Sequence, residues 1–244
     1  AITASQAVGL LQGRVDAFGA SLHARGTGGA ARGFDVVSRA WYNETLESLV
    51  SMVPGMMAII LCMPALALAL ALTREKETGS FENLIVAPVR GTEYLVGKLL
   101  AYAISGTGSA ILAWLVATLW FRVPFRGGFL AFLLLTADYL VASMGLSSVI
   151  ANFVSNQQSA MFLILMVFFV PSFFISGLII PVADEPIARA IACILPATHF
   201  ITICRGVFLK GLGPVALWKS ACILLCVGFA AQIISLGLFE KKLR

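Results

Sequence analysis

Long apolar stretches separated by short polar joints dominate this 244-residue chain. A bilayer core of about 30 Å takes roughly 20 helical residues. Five segments meet that length: Met52 to Leu72, Leu99 to Phe121, Phe129 to Ala151, Ser159 to Ile180 and Trp218 to Phe239. Each is continuously apolar rather than alternating, which predicts helices and not barrel strands. In lipid every backbone N–H and C=O needs an internal partner, and a helix supplies one. A sixth apolar piece, Ile191 to Phe208, is shorter and contains Pro196, His199 and Arg205. Its length and polarity predict a re-entrant or interfacial hairpin instead of a further crossing.

Residues 1–50 follow another pattern. Val8, Leu11, Val15, Phe18 and Leu22 form one face of an amphipathic helix. The glycines between Gly26 and Gly33 break the chain, and Phe34 to Tyr42 reads as a strand. The segment is too short to build a core alone, so the end of a larger water-exposed domain is expected here.

Composition sharpens this picture. Hydrophobic residues make up 59% of the chain and charged residues 12%, about half the usual charged share of a soluble domain. A soluble fold could not hide that much apolar surface. The net charge of +5 is spread over the flanks of the apolar stretches, with no basic run, so no nucleic-acid partner is expected. Lys and Arg are almost evenly divided between the two sides, and the positive-inside rule therefore does not orient the chain. The five cysteines form no C-x-x-C pair, and His199 alone makes no metal site.

The most polar stretch is Thr73 to Lys98, between the first two spans. Thr78-Gly79-Ser80 breaks it. Phe81, Leu84 and Ile85 then share one face of a short helix, with Glu82 and Asn83 turned away, and Pro88 ends it. Such a helix can lie on the lipid surface or dock in a partner's groove. Asp138, eight or nine residues into the third span, is costly at that depth. It can line a cargo path, hold a proton, or bond to a neighbour such as Thr136 or Ser143. On the second span Gly97, Ala101, Ser105, Ser109, Ala113 and Ala117 recur every four residues. That small-residue stripe admits close helix packing, within the chain or against a second chain. Pro64 and Pro171 lie inside spans and kink them, as hinges or as fixed bends.

These motifs, in order, resemble the permeases of ABC-2-type transporters. The carriers are the Val53-Pro54-Gly55 entry, REKETGSFENLIVAPVRG from Arg74, the Gly97-Lys98 pair, and GLSSVIANFVSNQQSAMFL from Gly145. PSFFISGLIIP from Pro171 and LPATHFITICRGVFLKGLG from Leu195 complete them. The likeness runs from about Tyr42 to the C-terminus. Two positions depart from the family pattern: Tyr42-Asn43-Glu44 stands for YNP, and Ala183 to Pro186 for an MP-containing turn.

The resemblance implies an all-α integral membrane protein with five spans, a cytoplasmic coupling helix and an extracytoplasmic re-entrant hairpin over 181–213. Residues 1–48 would end an extracytoplasmic α/β domain, and 49–244 would form the transmembrane domain. The coupling loop 73–98 would dock on a separate ABC ATPase subunit through Arg74, Glu75, Lys76, Glu77, Gly79, Phe81, Glu82, Leu84 and Pro88. Ser176, Gly177, Pro181, Pro196, Arg205 and Gly206 would shape the outer hairpin. No cofactor is expected in this chain, with ATP and Mg²⁺ on the partner. A second permease chain, identical or not, and membrane lipid complete the expected partners, with the C-terminus cytoplasmic.

Other classes fit less well. Ser176-Gly177 and His199 suggest an intramembrane serine protease, but Phe174 occupies a position where the rhomboid-type G-x-S-G motif needs glycine. A secondary carrier would need more intramembrane charge than Asp138. An assembly subunit that binds an ATPase without carrying cargo would share the same coupling loop.

Overall fold

The computed structural model describes residues 13–15, 17, 48–79, 91–170 and 195–243. Two compact units divide the chain, Ala1–Ser51 and Met52–Arg244. In the first, Gly13, Arg14, Val15 and Ala17 are helical, inside the stretch where an amphipathic helix is expected. The expected strand lies outside the described residues.

Every regular element described is helical. They are α1 (Ser48–Ile60), α2 (Met63–Glu77), α3 (Gly91–Leu115), α4 (Phe129–Phe153), α5 (Gln157–Ile164), α6 (Pro196–Lys210) and α7 (Trp218–Leu243). The ends of α3 and α5 widen into π-helical turns over Val116–Trp120 and Leu165–Phe169. Four helical stretches are long and apolar enough to cross a bilayer: Met52–Glu77, Gly91–Trp120, Phe129–Phe153 and Trp218–Leu238. The expected fourth span starts with α5 and is described only to Val170.

Gly91–Trp120 has 30 residues, about 45 Å at 1.5 Å per residue, well beyond the bilayer core. Its surplus turns include Glu93 and Lys98. Both α2 and α3 thus run further into the 73–98 segment than apolarity alone suggests, α2 to Glu77 and α3 from Gly91.

The first span is broken at Leu61-Cys62, and the break has a local cause. Pro64 has no N–H to give to the carbonyl four residues back. The Cys62 N–H turns to Ile59 O at 3.2 Å, so Ala58 O lacks its usual helical donor. The hydroxyl of Tyr139, on α4, donates to that oxygen at 2.7 Å. Tyr139 is fully buried and stacks on Phe200 of α6, with ring centroids 4.3 Å apart. One side chain therefore ties the broken span, α4 and α6 together.

Helix α4 is the hub, packed against α7, α2, α6 and α3. Its hydroxyls close onto its own backbone: Thr136 donates to Phe132 O, Ser143 to Tyr139 O, and Ser148 to Met144 O. That removes the cost of burying them. At the α4–α7 crossing Gly145 faces Gly228. A Cβ on Gly145 would sit 2.9 Å from Gly228 O, and one on Gly228 would sit 3.0 Å from Ala142 Cα. The two backbones touch, which only small residues permit.

The small-residue stripe of the second span behaves differently. Gly97, Ala101 and Ser105 are exposed. Packing within the chain uses Leu95, Gly106, Ala110 and Ala117 instead. A Cβ on Gly106 would clash with Leu140 Cδ2 at 2.8 Å. The intrachain contact face of α3 is thus rotated from the stripe and shares only its last member, Ala117.

Beyond α3, residues 121–128 fold back on α6. The Arg126 N–H donates to Phe208 O at 3.0 Å. Phe125 lies among Trp114, Phe132 and Phe208, its centroid 5.6, 6.4 and 4.9 Å from theirs. Helix α6 is buried along most of its length. Pro196 occupies its first turn, where a missing N–H costs nothing. Gly211 ends it at φ 64°, a left-handed conformation that glycine adopts without strain. Gly206 packs tightly on Leu217, with a Cβ contact of 3.0 Å if it had one.

Candidate functional site

The last turn of α2 reads Arg74-Glu75-Lys76-Glu77. Successive residues on a helix point about 100° apart, so these four side chains fan out in different directions. The turn ends where Thr78 N–H and Thr78 Oγ1 both bond to Arg74 O at 2.9 Å. Gly79 then takes φ 71°, a value suited to glycine.

Three of the four charges find matched partners. Lys76 Nζ donates to Ala151 O, near the C-terminus of α4, where the helix dipole favours a cation. Glu77 Oε2 accepts from the Gln157 backbone N–H at 3.2 Å and from its Nε2 at 3.1 Å. That places a carboxylate at the N-terminus of α5, again the favourable end. Glu75 Oε1 pairs with Lys98 Nζ of α3 at 2.6 Å. Lys98 also lies 4.9 Å from the Tyr94 ring centroid. Arg74 is exposed.

A further tie completes this end of the bundle. Asn152 Nδ2 donates to Ser235 O at 3.2 Å and to Ser235 Oγ at 3.1 Å, joining α4 to α7. Asn156 caps α5, its Oδ1 accepting from Ser159 N–H at 2.8 Å. The ends of α2, α3, α4 and α5 and the tail of α7 are thus joined by charged or amide side chains. Exposed ion pairs contribute about 1 kcal/mol or less each. What the set provides is registry: α2 is tied at this end to α3, α4 and α5, and α4 in turn to α7.

Gly97-Lys98 and Gln157, which the sequence offers only as ordered family-like motifs, hold the partners of Glu75 and Glu77. The spacing within the chain hides this, because the partners lie 23 and 80 residues away in sequence. Asn152 and Ser235 belong to no motif read as functional. Their signal is an amide and a hydroxyl inside or beside apolar runs, where each needs a partner.

Asp138 is partly exposed on α4, about 20 Å along the helix from Ala151 at 1.5 Å per residue. It is not part of the charged end. Thr136 and Ser143, its candidate partners, bond to their own backbone instead. Pro196, Arg205 and Gly206 all lie on α6, Pro196 in its first turn and Arg205 and Gly206 about 14 Å further along. Cys204 is a buried free thiol, and Cys193 lies outside the described residues. So do Phe81, Glu82, Leu84, Pro88, Ser176, Gly177 and Pro181. Among the described residues no three His, Cys, Asp or Glu side chains gather as a metal site.

A hub helix, a broken first span and a charged knot at one end define a multi-pass helical membrane protein. Comparison with known proteins gives its class. The sequence profile of the ABC-2 family transporter proteins matches residues 5–236, and the chain belongs to that family. It is 31% identical over 212 residues to the probable multidrug ABC transporter permease YbhS of Escherichia coli (strain K12), covering 86% of this chain and 56% of that protein. It is 27% identical over 210 residues to the probable multidrug ABC transporter permease YbhR of the same strain, covering 85% and 57%. Inner membrane transport permease YhhJ, also of that strain, is 27% identical over 198 residues, covering 78% and 52%. The chain therefore spans about half the length of the curated relatives it matches.

Proposed function

We propose that this chain is the membrane-embedded permease part of an ATP-driven exporter of hydrophobic or amphipathic compounds. Two relatives carry the words multidrug permease in their names, which supports that substrate class. ATP and Mg²⁺ bind a separate ATPase subunit, and this chain is not itself an enzyme. The 73–98 segment faces the cytoplasm, and its short helix, with Phe81, Leu84 and Glu82, docks on that subunit. A second permease chain, identical or related, completes the path, and residues 1–48 end an extracytoplasmic domain.

The knot at the end of α2 is the observation that carries this reading. When ATP binding draws the two ATPase subunits together, the docked segment moves as a rigid body. Its displacement enters the chain at Gly79 and reaches α2 first. Lys76, Glu75 and Glu77 pass it to α4, α3 and α5, while Asn152 and Ser235 carry it to α7. Helix α4 relays it to Tyr139, and hence to the break in the first span and to α6. The helices then change position together rather than singly, as alternating access requires.

Glu75→Lys places a cation against Lys98 and breaks the α2–α3 tie. Transport-linked ATPase activity of the assembled complex should fall several-fold, with the amount of assembled complex unchanged. Wild-type coupling in a normally assembled Glu75→Lys complex would overturn the reading.

A further inference from the structure

Beside the knot lies a cavity of about 590 Å³ between α2, α3 and the start of α5. Its α2 wall is one stripe of the helix that changes character along its length. Ala67, Leu70 and Ala71 are apolar; Arg74, Glu75 and Thr78, one and two turns further on, are polar. From Ala67 to Arg74 is about 10 Å along the axis, enough to pass from the hydrocarbon core through the interfacial zone of a leaflet. Lys98 and Tyr102, one turn apart on α3, form the facing wall.

The charges lining the cavity do not cancel. Glu75 and Lys98 neutralise each other at 2.6 Å, and the Lys98 ammonium also reaches Ala71 O at 3.5 Å. Glu77 does not line the cavity, and its carboxylate is taken up by the backbone N–H and side-chain amide of Gln157, which does. Among the described lining residues Arg74 remains as the uncompensated charge. It is a guanidinium able to grip a phosphate with two parallel N–H donors.

We infer that this cavity is a binding site for an anionic glycerophospholipid, its phosphate on Arg74 and its acyl chain along Ala67, Leu70 and Ala71. Basic pockets between spans at the membrane edge recognise anionic head groups through this combination of cation and apolar wall. Bound there, the lipid would brace the α2–α3 junction at the knot. The inference requires only that α2 and α3 cross the bilayer, so it stands or falls separately from the transport reading.

The test is native mass spectrometry of the purified protein in detergent, titrated with phosphatidylglycerol, phosphatidylcholine or inorganic phosphate. The wild type should retain one phosphatidylglycerol per chain more tightly than phosphatidylcholine. Arg74→Gln should weaken phosphatidylglycerol binding about tenfold, the scale of one lost charge-assisted contact, and Arg74→Lys should recover part of it. Ala71→Trp, which fills the cavity without changing its charge, should also weaken binding while the protein remains folded. Equal retention by wild type and Arg74→Gln would overturn the site, as would equal retention of the two lipids. Competition by inorganic phosphate at the same affinity would replace it with a free-anion site.

Discussion

Helices α3 and α4 both qualify as spans, yet they are used in opposite ways. About 11% of the most apolar window of the Gly91–Trp120 span is buried within the chain, against 50% for α4. Both are rich in small and hydroxyl residues. Both also satisfy their hydroxyls internally: Thr107 donates to Ala103 O and Ser109 to Ser105 O on α3, as Ser143 and Ser148 do on α4. Hydroxyl content therefore does not distinguish a buried span from a bare one. The difference lies across the contact. The small face of α4, Ala142 and Gly145, meets Gly228 and Ala231 of α7. The first half of the α3 stripe is exposed among the described residues, and Leu100, Ile104, Leu112 and Trp120 extend outward from the same helix.

The sharpest way to break this comparison is to put one large side chain in each region. Gly145→Leu would drive a side chain into the Gly228 carbonyl, where the neighbour is backbone and cannot rotate away. Lipid offers no hydrophobic compensation, so close packing is what holds α4 on α7. Overpacking at a backbone contact should cost about 3 kcal/mol, the upper end of the usual range. Thermal unfolding of the protein in detergent should show a midpoint well below wild type, or misassembly. A wild-type midpoint would mean that α4 and α7 do not cross at these glycines.

A smaller effect is expected where α4 grips the broken first span. Tyr139→Phe keeps the stack on Phe200 and removes only the donor to Ala58 O. Hydrogen bonds between spans average well under 2 kcal/mol, and the stranded carbonyl adds to the loss. We expect about 1 kcal/mol of destabilisation, read in the same melt, and faster backbone amide exchange around Leu61 and Cys62. Unchanged exchange there would show that Pro64 alone holds the break.

Much of this organisation can be read from hydropathy. The starts of α4 at Phe129 and α7 at Trp218 coincide with the expected spans, because a charged or glycine-rich joint precedes each. The long polar joint after the first span is equally visible, and so is the helix stop at Thr78-Gly79. Two things are hidden, for a common reason. Helices α2 and α3 extend through charged turns that score as loop, because at the lipid edge a helix continues as long as its charges find partners. The partners themselves, Lys98, Ala151 and Gln157, are set by which helix ends meet in space. A stripe on one helix records that a close approach is permitted; only a matching stripe on a second helix records where it happens. Ala142, Gly145 and Gly228 form such a match, and Gly97, Ala101 and Ser105 have none among the described residues.

That contrast yields the smallest expected effect. No atom of the described residues lies within 4 Å of a Cβ placed on Gly97, so Gly97→Leu introduces a side chain into open space there. Replacing glycine also favours the helix by up to about 1 kcal/mol. The thermal midpoint of the single chain should stay level or rise slightly, the reverse of Gly145→Leu. A large loss would mean that the exposed face of α3 is covered within the fold. A normal midpoint together with loss of chain-to-chain crosslinking in native membranes would instead locate the partner of the stripe: a second chain approaching where α3 leaves its glycine bare.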